Sequence, residues 1–307
     1  MNEDTSCGCR GDVPGRLPEW LRVKTGKARL SQATRSLVEA HGLHTVCQSA
    51  RCPNIGECYC SGTATFLILG NVCTRNCRFC AVAHGSPGPV DPDEPGRLAQ
   101  AAAELGLRYV VVTSVTRDDL PDGGASQFAA TVRGLKRQIP GVLVEVLPSD
   151  MGGDEAALRT VLDSGPDVFN HNLETVRRLQ PVVRPQAGYE RSLGVLRRAR
   201  ELGALTKSGL IVGLGETRDE LREALDDLAS CGVRILTIGQ YLQPTRAHMP
   251  VARYVEPAEF DEFADWGRQA GIDHVVSGPF VRSSYQAAEA AACVELGRDD
   301  GGEEERR

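Results

Sequence analysis

Cysteine is concentrated in one part of this chain. Seven of the eleven cysteines lie between residues 47 and 80, in two groups of three plus Cys60. The second group, Cys73-Thr-Arg-Asn-Cys77-Arg-Phe-Cys80, has the spacing C-x3-C-x2-C. Each iron of a 4Fe–4S cluster needs one ligand besides its sulfides, so three thiolates leave one iron free to bind another molecule. The C-x3-C-x2-C group therefore indicates a reactive iron–sulfur cluster.

A second set of possible cluster ligands lies upstream. Cys47, Cys52 and Cys58 have the spacing C-x4-C-x5-C and also supply three thiolates. If this C-x4-C-x5-C group holds another 4Fe–4S cluster, the fourth ligand must come from elsewhere in the chain. Cys60 is the nearest candidate, but thiolates one residue apart reach two corners of one cluster only with strain. We therefore expect Cys60 to be a packed thiol.

A zinc site is the alternative for these cysteines. Zinc prefers four ligands, often in paired C-x2-C units, and only Cys77 and Cys80 form such a pair in this segment. An iron–sulfur centre is therefore favoured. A non-catalytic zinc- or cluster-binding interaction module remains the alternative class of function.

The other four cysteines have no such spacing. Cys7 and Cys9 lie in a polar N-terminal tail. Cys231 and Cys293 lie in stretches that we expect to be helical, and we predict that both are small buried hydrophobic side chains.

Composition and charge exclude several classes of protein. The 307 residues include 35 Lys and Arg against 41 Asp and Glu, a net charge of −6, which disfavours nucleic acid as a partner. No apolar run is long enough to span a membrane, and residues 1–12 show no targeting pattern. We therefore expect a cytoplasmic protein without a membrane partner. In a reducing compartment, grouped thiols are more often metal ligands than disulfides.

Short apolar runs alternate with helix-period stretches after Gly62. The expected strands are 65–69, 109–113, 143–147, 168–170, 208–212 and 235–239. The expected helices are 96–105, 126–138, 155–163, 190–201 and 218–229. Repeated strand–helix units of this kind predict a parallel sheet with right-handed crossovers.

The choice between a barrel and a dinucleotide-binding sheet rests on the loops. Gly213-Leu-Gly-Glu-Thr-Arg218 begins like a dinucleotide loop, but an arginine stands where the third glycine is needed. Six units are too few for a complete eight-unit barrel. We therefore predict an α/β fold, a partial (β/α)6 TIM-type barrel over residues 62–280, with an N-terminal extension, 1–61, and a C-terminal extension, 281–307. The charged tail, 297–307, is expected to be disordered.

The C-x3-C-x2-C group, with Phe79 before its last cysteine, resembles the signature of the radical S-adenosylmethionine superfamily. Both cysteine groups together with Arg282-Ser-Ser-Tyr285 resemble one family within it, the lipoyl synthases. The resemblance implies that the C-x3-C-x2-C group holds the cluster that cleaves S-adenosylmethionine, and that the C-x4-C-x5-C group holds an auxiliary 4Fe–4S cluster. Ser284 is then the labile fourth ligand of the auxiliary cluster, with a hard oxygen on iron that normally takes thiolates. Taken alone, Ser283 also suits the N-cap of a helix beginning at Tyr285.

The resemblance extends over residues 17–288. Further shared motifs are Gly62-Thr-Ala-Thr-Phe66, Val111-Val-Thr-Ser114, Arg117-Asp-Asp-Leu120, Asp122-Gly-Gly-Ala125, Phe169-Asn-His-Asn-Leu-Glu174, Lys207-Ser-Gly-Leu210 and Gln240-Tyr-Leu-Gln-Pro244. Residues 148–152 depart from the family's usual Pro-Asp-Phe-type turn, and Cys60 lies outside the family pattern. Neither departure removes a cluster ligand.

The resemblance assigns Gly123 and Gly124 to the amino group of S-adenosylmethionine, and Phe79 of the cysteine motif is counted with the residues that bind this molecule. Ser114, Asn172 and Glu174 lie at the ends of expected strands, where barrel proteins place ligand-binding groups, so we expect them to bind it too. A tight turn before a helix explains the two glycines almost as well, and a charge in the first turn of a helix explains Glu174. His171 has no partner histidine at helical spacing, so we expect a hydrogen-bonded structural role.

The implied activity is the insertion of sulfur at C6 and C8 of an octanoyl chain on a carrier-protein lysine. A radical made from S-adenosylmethionine removes the hydrogens, and the auxiliary cluster is consumed as the sulfur source. The implied partners are octanoylated lipoyl carrier domains of dehydrogenase-complex E2 subunits and the glycine-cleavage H protein, an electron donor and an iron–sulfur carrier. An enzyme that inserts sulfur into a free small molecule, similar to biotin synthase, is the alternative, and the Arg-Ser-Ser-Tyr motif argues against it.

Basic residues crowd the N-terminal extension, where Glu19 is the only acid among them. They are Arg16, Arg22, Lys24, Lys27, Arg29 and Arg35. Such a run is usually a solvated surface, but its nearness to the upstream cysteines suggests that it helps to dock an acidic carrier domain.

Reversing the charge at Lys24, Lys27 and Arg29 to glutamate should weaken carrier binding and reduce its dependence on salt. Attraction between exposed opposite charges is screened by ions, so the loss should be largest at low ionic strength. Carrier titrations at low and high salt measure both effects. Unchanged affinity would contradict the hypothesis.

Overall fold

The computed structural model describes residues 17–22, 28–49, 52, 54–55 and 65–299. The strands are β1 His44–Thr45, β2 Thr65–Ile68, β3 Val72–Cys73, β4 Ala83–His84, β5 Tyr109–Ser114, β6 Leu143–Leu147, β7 Val168–Asn170, β8 Thr206–Val212, β9 Ile235–Gln240 and β10 His274–Gly278. The α-helices are Ala28–Ala40, Val46–Ser49, Glu94–Glu104, Ala125–Gln138, Glu155–Leu162, Gln180–Val183, Tyr189–Glu201, Arg218–Ser230, Pro257–Gln269 and Ala287–Asp299. Two short 3-10 helices are Glu19–Leu21 and Met151–Gly153.

The main sheet has eight strands in the order β1-β2-β5-β6-β7-β8-β9-β10. β1 is antiparallel to β2, and every other neighbouring pair is parallel. Within the described residues, the two ends of this order do not pair with each other, so the barrel is open. The prediction of a partial TIM-type barrel is confirmed.

All six expected strands are present, with small changes at their ends, and so are all five expected helices. The sheet also contains β10 and the short β1, which the apolar runs did not mark. β10 has only two consecutive apolar residues, Val275 and Val276, and it lies at the edge of the sheet. The division of the chain into three regions stays a prediction.

Two expectations at the end of the chain are corrected. The helix Ala287–Asp299 runs into the tail, so the prediction of disorder is wrong for residues 297–299. Residues 300–307 lie outside the described part. Cys293, in the same helix, is exposed and not a buried hydrophobic side chain, whereas Cys231 is buried as predicted.

The sheet is apolar because helices cover it. All six residues of β9 and all four of β2 are buried, as expected for parallel strands covered on both faces. Local signals set the ends of the covering helices. A capping box of Thr217 and Glu220 starts Arg218–Ser230, and the Asp154 side chain accepts hydrogen bonds from two backbone N–H groups at the start of Glu155–Leu162. No helix in the described ranges is long and apolar enough to cross a membrane.

A buried ion pair joins the central strands. Lys207 Nζ on β8 lies 3.0 Å from Glu145 Oε2 on β6, and both side chains are almost fully buried. The carboxylate also accepts hydrogen bonds from Tyr109 Oη at 2.7 Å and Asn170 Nδ2 at 2.8 Å. Strands β5, β6, β7 and β8 are therefore linked by one charged group.

Replacing Lys207 with methionine should lower the free energy of unfolding by about 3–5 kcal/mol, because it leaves the Glu145 charge buried without its partner. Urea unfolding measures the loss. The double variant Lys207→Met/Glu145→Gln removes both charges and should recover most of it. A single variant as stable as the parent would show that the pair does not hold the strands together.

Candidate active site

A cavity of about 520 Å³ opens at the carboxyl ends of the parallel strands, where barrel proteins place their ligands. Its walls include most of the residues that the sequence singles out. These are Cys47, Cys52, Cys73, Cys77, Phe79, Cys80, Ser114, Asn172, Glu174 and Ser284. Cys58, the remaining predicted cluster ligand, lies outside the described residues, as do Cys7, Cys9 and Cys60.

Gly123 and Gly124 are the two predicted site residues that do not line the cavity. Gly124, with φ 94°, precedes the helix Ala125–Gln138, and a Cβ there would lie 2.3 Å from Leu69 Cδ1. Gly123 has φ 60°, and a Cβ there would lie 3.3 Å from Met151. A tight turn with close packing, the alternative explanation, therefore accounts for both glycines.

The C-x3-C-x2-C group lies on a loop that follows β2. The loop is closed at its base by the parallel pair β3 and β4, and the Cys80 N–H donates to the Cys77 carbonyl at 3.0 Å. The Cys73 Sγ accepts from the backbone N–H of Thr116 at 3.2 Å and of Arg75 at 3.4 Å. These two hydrogen bonds fix the position of the Cys73 sulfur at the edge of the cavity.

Arg75 holds this loop against its neighbours, and no sequence pattern pointed to it. Its guanidinium donates to both oxygens of Asp118, at 2.8 and 2.7 Å, and to both oxygens of Asp150, at 2.9 and 2.6 Å. Burial alone would raise the pKa of the Asp150 carboxyl, but the hydrogen bonds from Arg75 outweigh it and lower this pKa to about 2. The pair therefore stays ionised at neutral pH.

The thiols of the site are shielded from water. Burial raises the pKa of Cys77 and Cys47, and it raises the pKa of Cys80 to about 12. All five described cysteines of the two groups are free of disulfides. Since iron binds thiolates, loading the site releases protons from these thiols.

The donor set suits a cluster better than one ion. Among the residues that the structure describes, no three His, Cys, Asp or Glu side chains are grouped so as to hold a single metal ion. A 4Fe–4S cluster takes each thiolate on a different iron, so its ligands are spread around a larger body. Five free thiols around one cavity match that requirement.

Distant parts of the chain complete the cavity. Cys52 N–H donates to the Cys47 carbonyl at 3.0 Å, which joins the two upstream cysteines, and Asn54 Nδ2 donates to the Phe280 carbonyl at 2.7 Å. This bond ties the upstream cysteines to the Arg-Ser-Ser-Tyr segment. At Gly239, at the end of β9, a Cβ would lie 2.0 Å from the Val281 carbonyl oxygen. Only glycine lets the segment approach the sheet this closely, and the segment brings Ser284 to the cavity.

Asn172 connects two predicted parts of the site. Its Nδ2 donates to Glu174 Oε1 at 3.0 Å and to Ser283 Oγ at 3.2 Å, while its buried Oδ1 has no partner among the described residues. Glu174 is not in a helix but pairs with Leu210 of β8, and burial raises the pKa of its carboxyl. The first-turn explanation for Glu174 is therefore wrong.

Ser283 is not a helix cap at the expected place. The helix that we expected from Tyr285 begins at Ala287, and the Ser283 hydroxyl accepts the hydrogen bond from Asn172. The serine pair thus faces the cavity, of which Ser283 and Ser284 are both lining residues.

Two further polar residues line the cavity. His171 is bonded at both ring nitrogens, to the Pro148 carbonyl at 3.2 Å and Ser192 Oγ at 3.0 Å, and burial lowers its pKa to about 4. This is the structural role expected from the sequence. Arg184 donates through Nη1 to the carbonyls of Asn172 and Leu173, and its charge faces Cys77 and Glu174. The sequence held no signal for Arg184.

Comparisons with known proteins agree with the site. A sequence model of the Radical SAM superfamily matches residues 67–228, about half of the chain. The crystal structure of Streptococcus suis SuiB bound to S-adenosylmethionine has a TM-score of 0.54 and 11% sequence identity, over 73% of this chain and 54% of SuiB. The chain thus spans about half the length of SuiB, and the likeness shows the fold alone. Fold, cysteine loop and superfamily match together define a radical S-adenosylmethionine enzyme, a class that uses a 4Fe–4S cluster and S-adenosylmethionine.

Curated relatives narrow the class to one family. A lipoyl synthase of Nitratidesulfovibrio vulgaris is 57% identical over 275 residues, which cover 90% of this chain and 92% of the relative. A lipoyl synthase of Pyrobaculum calidifontis is 58% identical over 279 residues, which cover 89% and 96%. The chain belongs to the lipoyl synthase family. This membership sets aside the zinc- or cluster-binding interaction module and the biotin-synthase-like enzyme.

Arg184 brings a buried positive charge to the cavity wall, so we expect it to bind the carboxylate of S-adenosylmethionine. Replacing Arg184 with glutamine should then raise the Kd for S-adenosylmethionine about tenfold or more, since a charge-assisted hydrogen bond contributes about 1.5–3 kcal/mol. Equilibrium dialysis with anaerobically loaded protein measures the Kd, and iron content checks the loading. Arg178→Gln, an exposed arginine of the same loop that is bonded to Glu220, is the control. An Arg184 variant with the affinity of this control would exclude the role.

Proposed function

We propose that this chain is a lipoyl synthase that inserts sulfur at C6 and C8 of an octanoyl chain carried on a lysine of a carrier protein. One observation carries the proposal. A single cavity contains the C-x3-C-x2-C cysteines and, beside them, Cys47, Cys52 and Ser284. The group that activates a carbon and the group that donates sulfur must reach the same atom in turn, so they need one shared chamber.

The donor set fits two clusters. Cys73, Cys77 and Cys80 would hold one 4Fe–4S cluster, and Cys47, Cys52, Cys58 and Ser284 would hold the auxiliary one. When bound, the clusters and S-adenosylmethionine supply the electron, the hydrogen-abstracting group and the sulfur. Phe79, Ser114, Asn172 and Glu174 line the space left for S-adenosylmethionine.

The protein residues position these groups and exclude water. The N–H groups of Thr116 and Arg75 donate to Cys73 Sγ and hold this side chain in place. The aromatic side chains of Phe79 and Tyr241 form apolar parts of the cavity wall, and they keep the reacting carbon away from solvent. Of the auxiliary ligands, Ser284 would offer a hard oxygen to iron, which prefers soft thiolates, so Ser284 would be the ligand that is released most easily.

Asn172 fixes the positions of the two sides of the cavity relative to each other. Its single amide group binds Glu174 on the S-adenosylmethionine side and Ser283 beside Ser284. A shift of the Arg-Ser-Ser-Tyr segment would break one of these bonds. The spacing between the two reaction centres is thereby held constant.

The partners follow from this reaction. The substrates are octanoylated carrier domains, those of dehydrogenase-complex E2 subunits and the glycine-cleavage H protein, and the enzyme also needs an electron donor and an iron–sulfur carrier. We place the activity in the cytoplasm, because a reducing compartment keeps the cluster thiols from forming disulfides.

Two single variants separate the cysteine groups. Cys77→Ala should abolish formation of 5′-deoxyadenosine, since it removes a ligand of the cluster that cleaves S-adenosylmethionine. Cys52→Ala should still form 5′-deoxyadenosine but insert no sulfur into an octanoyl-lysine peptide. Both products are measured by mass spectrometry under anaerobic reduction, and the parent should contain about eight irons, the sum of two four-iron clusters.

Cys231→Ala is the matched control, because this buried cysteine lies in the outer helix layer and not at the cavity. It should keep both activities. Sulfur-containing product from Cys52→Ala would show that the auxiliary cysteines are not needed for sulfur donation and would overturn the proposal.

A further inference from the structure

Three loops at the cavity mouth are free of acidic residues. They are residues 72–90, 175–189 and 241–255, which together contain seven arginines and no aspartate or glutamate, in a chain with a net charge of −6. Each loop also supplies cavity wall, through Cys77, Arg184 and Gln243. These three loops of the cavity mouth are therefore basic although the protein is acidic.

Backbone hydrogen bonds join the three loops at one residue, Arg78. Its N–H donates to the Val183 carbonyl at 2.9 Å, and its carbonyl accepts from the Met249 N–H at 3.0 Å. His248 Nε2 lies 3.0 Å from the Cys80 carbonyl oxygen, a second link between the first and third loops. The loops thus form one continuous surface and not three separate ones.

Two arginines on this surface have no partner among the residues that the structure describes. The side chains of Arg78 and Arg246 are exposed, and neither has a hydrogen bond or ion pair within the described ranges. Their neighbours differ: Arg75 is bonded to Asp118 and Asp150, and Arg253 is bonded to Glu259. Charge available for a partner is therefore concentrated at Arg78 and Arg246.

One of the three joined loops also exposes an apolar side chain. Val182 is 45% exposed and is one of three large hydrophobic side chains found exposed in the described chain. It precedes Val183, whose carbonyl accepts the Arg78 N–H. An exposed apolar residue on the same joined loops as two exposed arginines is typical of a surface that binds another protein.

We propose that Arg78, Val182 and Arg246 form a docking surface for an acidic face of the folded carrier domain. The proposal rests on the proposed function and assigns the surface that recognises its macromolecular substrate. Carboxylates of the carrier pair with the two arginines, an apolar side chain covers Val182, and the octanoyl-lysine beside them enters the cavity. Charge complementarity speeds the encounter, so recognition of the folded domain depends on ionic strength.

The test compares a folded octanoylated carrier domain with a short octanoyl-lysine peptide that contains no acidic residue. The double variant Val182→Asp/Arg246→Glu leaves the cysteine loop unchanged. At low salt its Kd for the carrier domain, measured by fluorescence anisotropy without S-adenosylmethionine, should rise about tenfold. Iron content and peptide turnover should match those of the parent, because the cavity itself is unaltered.

Arg108→Glu is the control, since Arg108 is an exposed arginine that precedes β5, at the opposite end of the barrel. It should leave both substrates unaffected. Arg78→Gln provides a second variant, whose expected effect on the carrier Kd is in the same direction. Added salt should weaken carrier binding by the parent more than by the double variant.

Equal carrier affinity of the double variant and Arg108→Glu, with peptide turnover intact, would overturn the docking surface alone. Equal losses with carrier and peptide would also overturn it, since they would place the effect inside the cavity. A parent protein that turns over neither substrate would overturn the proposed function and the docking surface with it.

Discussion

The site depends on one guanidinium held between two carboxylates. Arg75 lies inside the cysteine loop, yet its partners belong to the loops that follow β5 and β6. Its side chain is 5% exposed and that of Asp150 is 0% exposed. Water therefore cannot easily solvate the two charges if their contact is lost. Breaking such a buried pair costs about 3–5 kcal/mol. The cysteines therefore keep a fixed position relative to the barrel. The distances from the cysteines to the other residues of the cavity are fixed as a result.

A second constraint brings the far end of the chain to the same place. Gly239 has no side chain, so the Val281 carbonyl can lie close to it, and the Asn54 side chain donates a hydrogen bond to the Phe280 carbonyl. Together these contacts carry Ser284 to a cavity whose other wall is the cysteine loop. The barrel alone would contribute only the C-x3-C-x2-C cysteines. The segments before and after the barrel contribute the upstream cysteines and Ser284.

Much of the fold and of the candidate site was predictable from the sequence, because the patterns that indicate them are local. Strands buried on both faces must be apolar throughout, so six of them were visible as runs, while the edge strand β10 was not. The cysteine spacing is also a local pattern. Arg75 and Arg184 could not be singled out, because their importance comes from Asp150 and Asn172, which only the folded chain places beside them. The sequence alone also could not weigh the two explanations of the Gly123-Gly124 turn, because Leu69 and Met151, which lie against these glycines, come from other parts of the chain.

The long span of the cavity has a consequence for the making of the protein. Its lining residues extend from Val46 to Tyr285, so this whole stretch must leave the ribosome before the cavity is complete. Domains start to fold from their N-terminal side during synthesis, and the early strands can pair while the last wall is still missing. During that interval the upstream thiols face solvent without their C-terminal cover. Metal loading of the complete site can therefore begin only after Tyr285 has been translated.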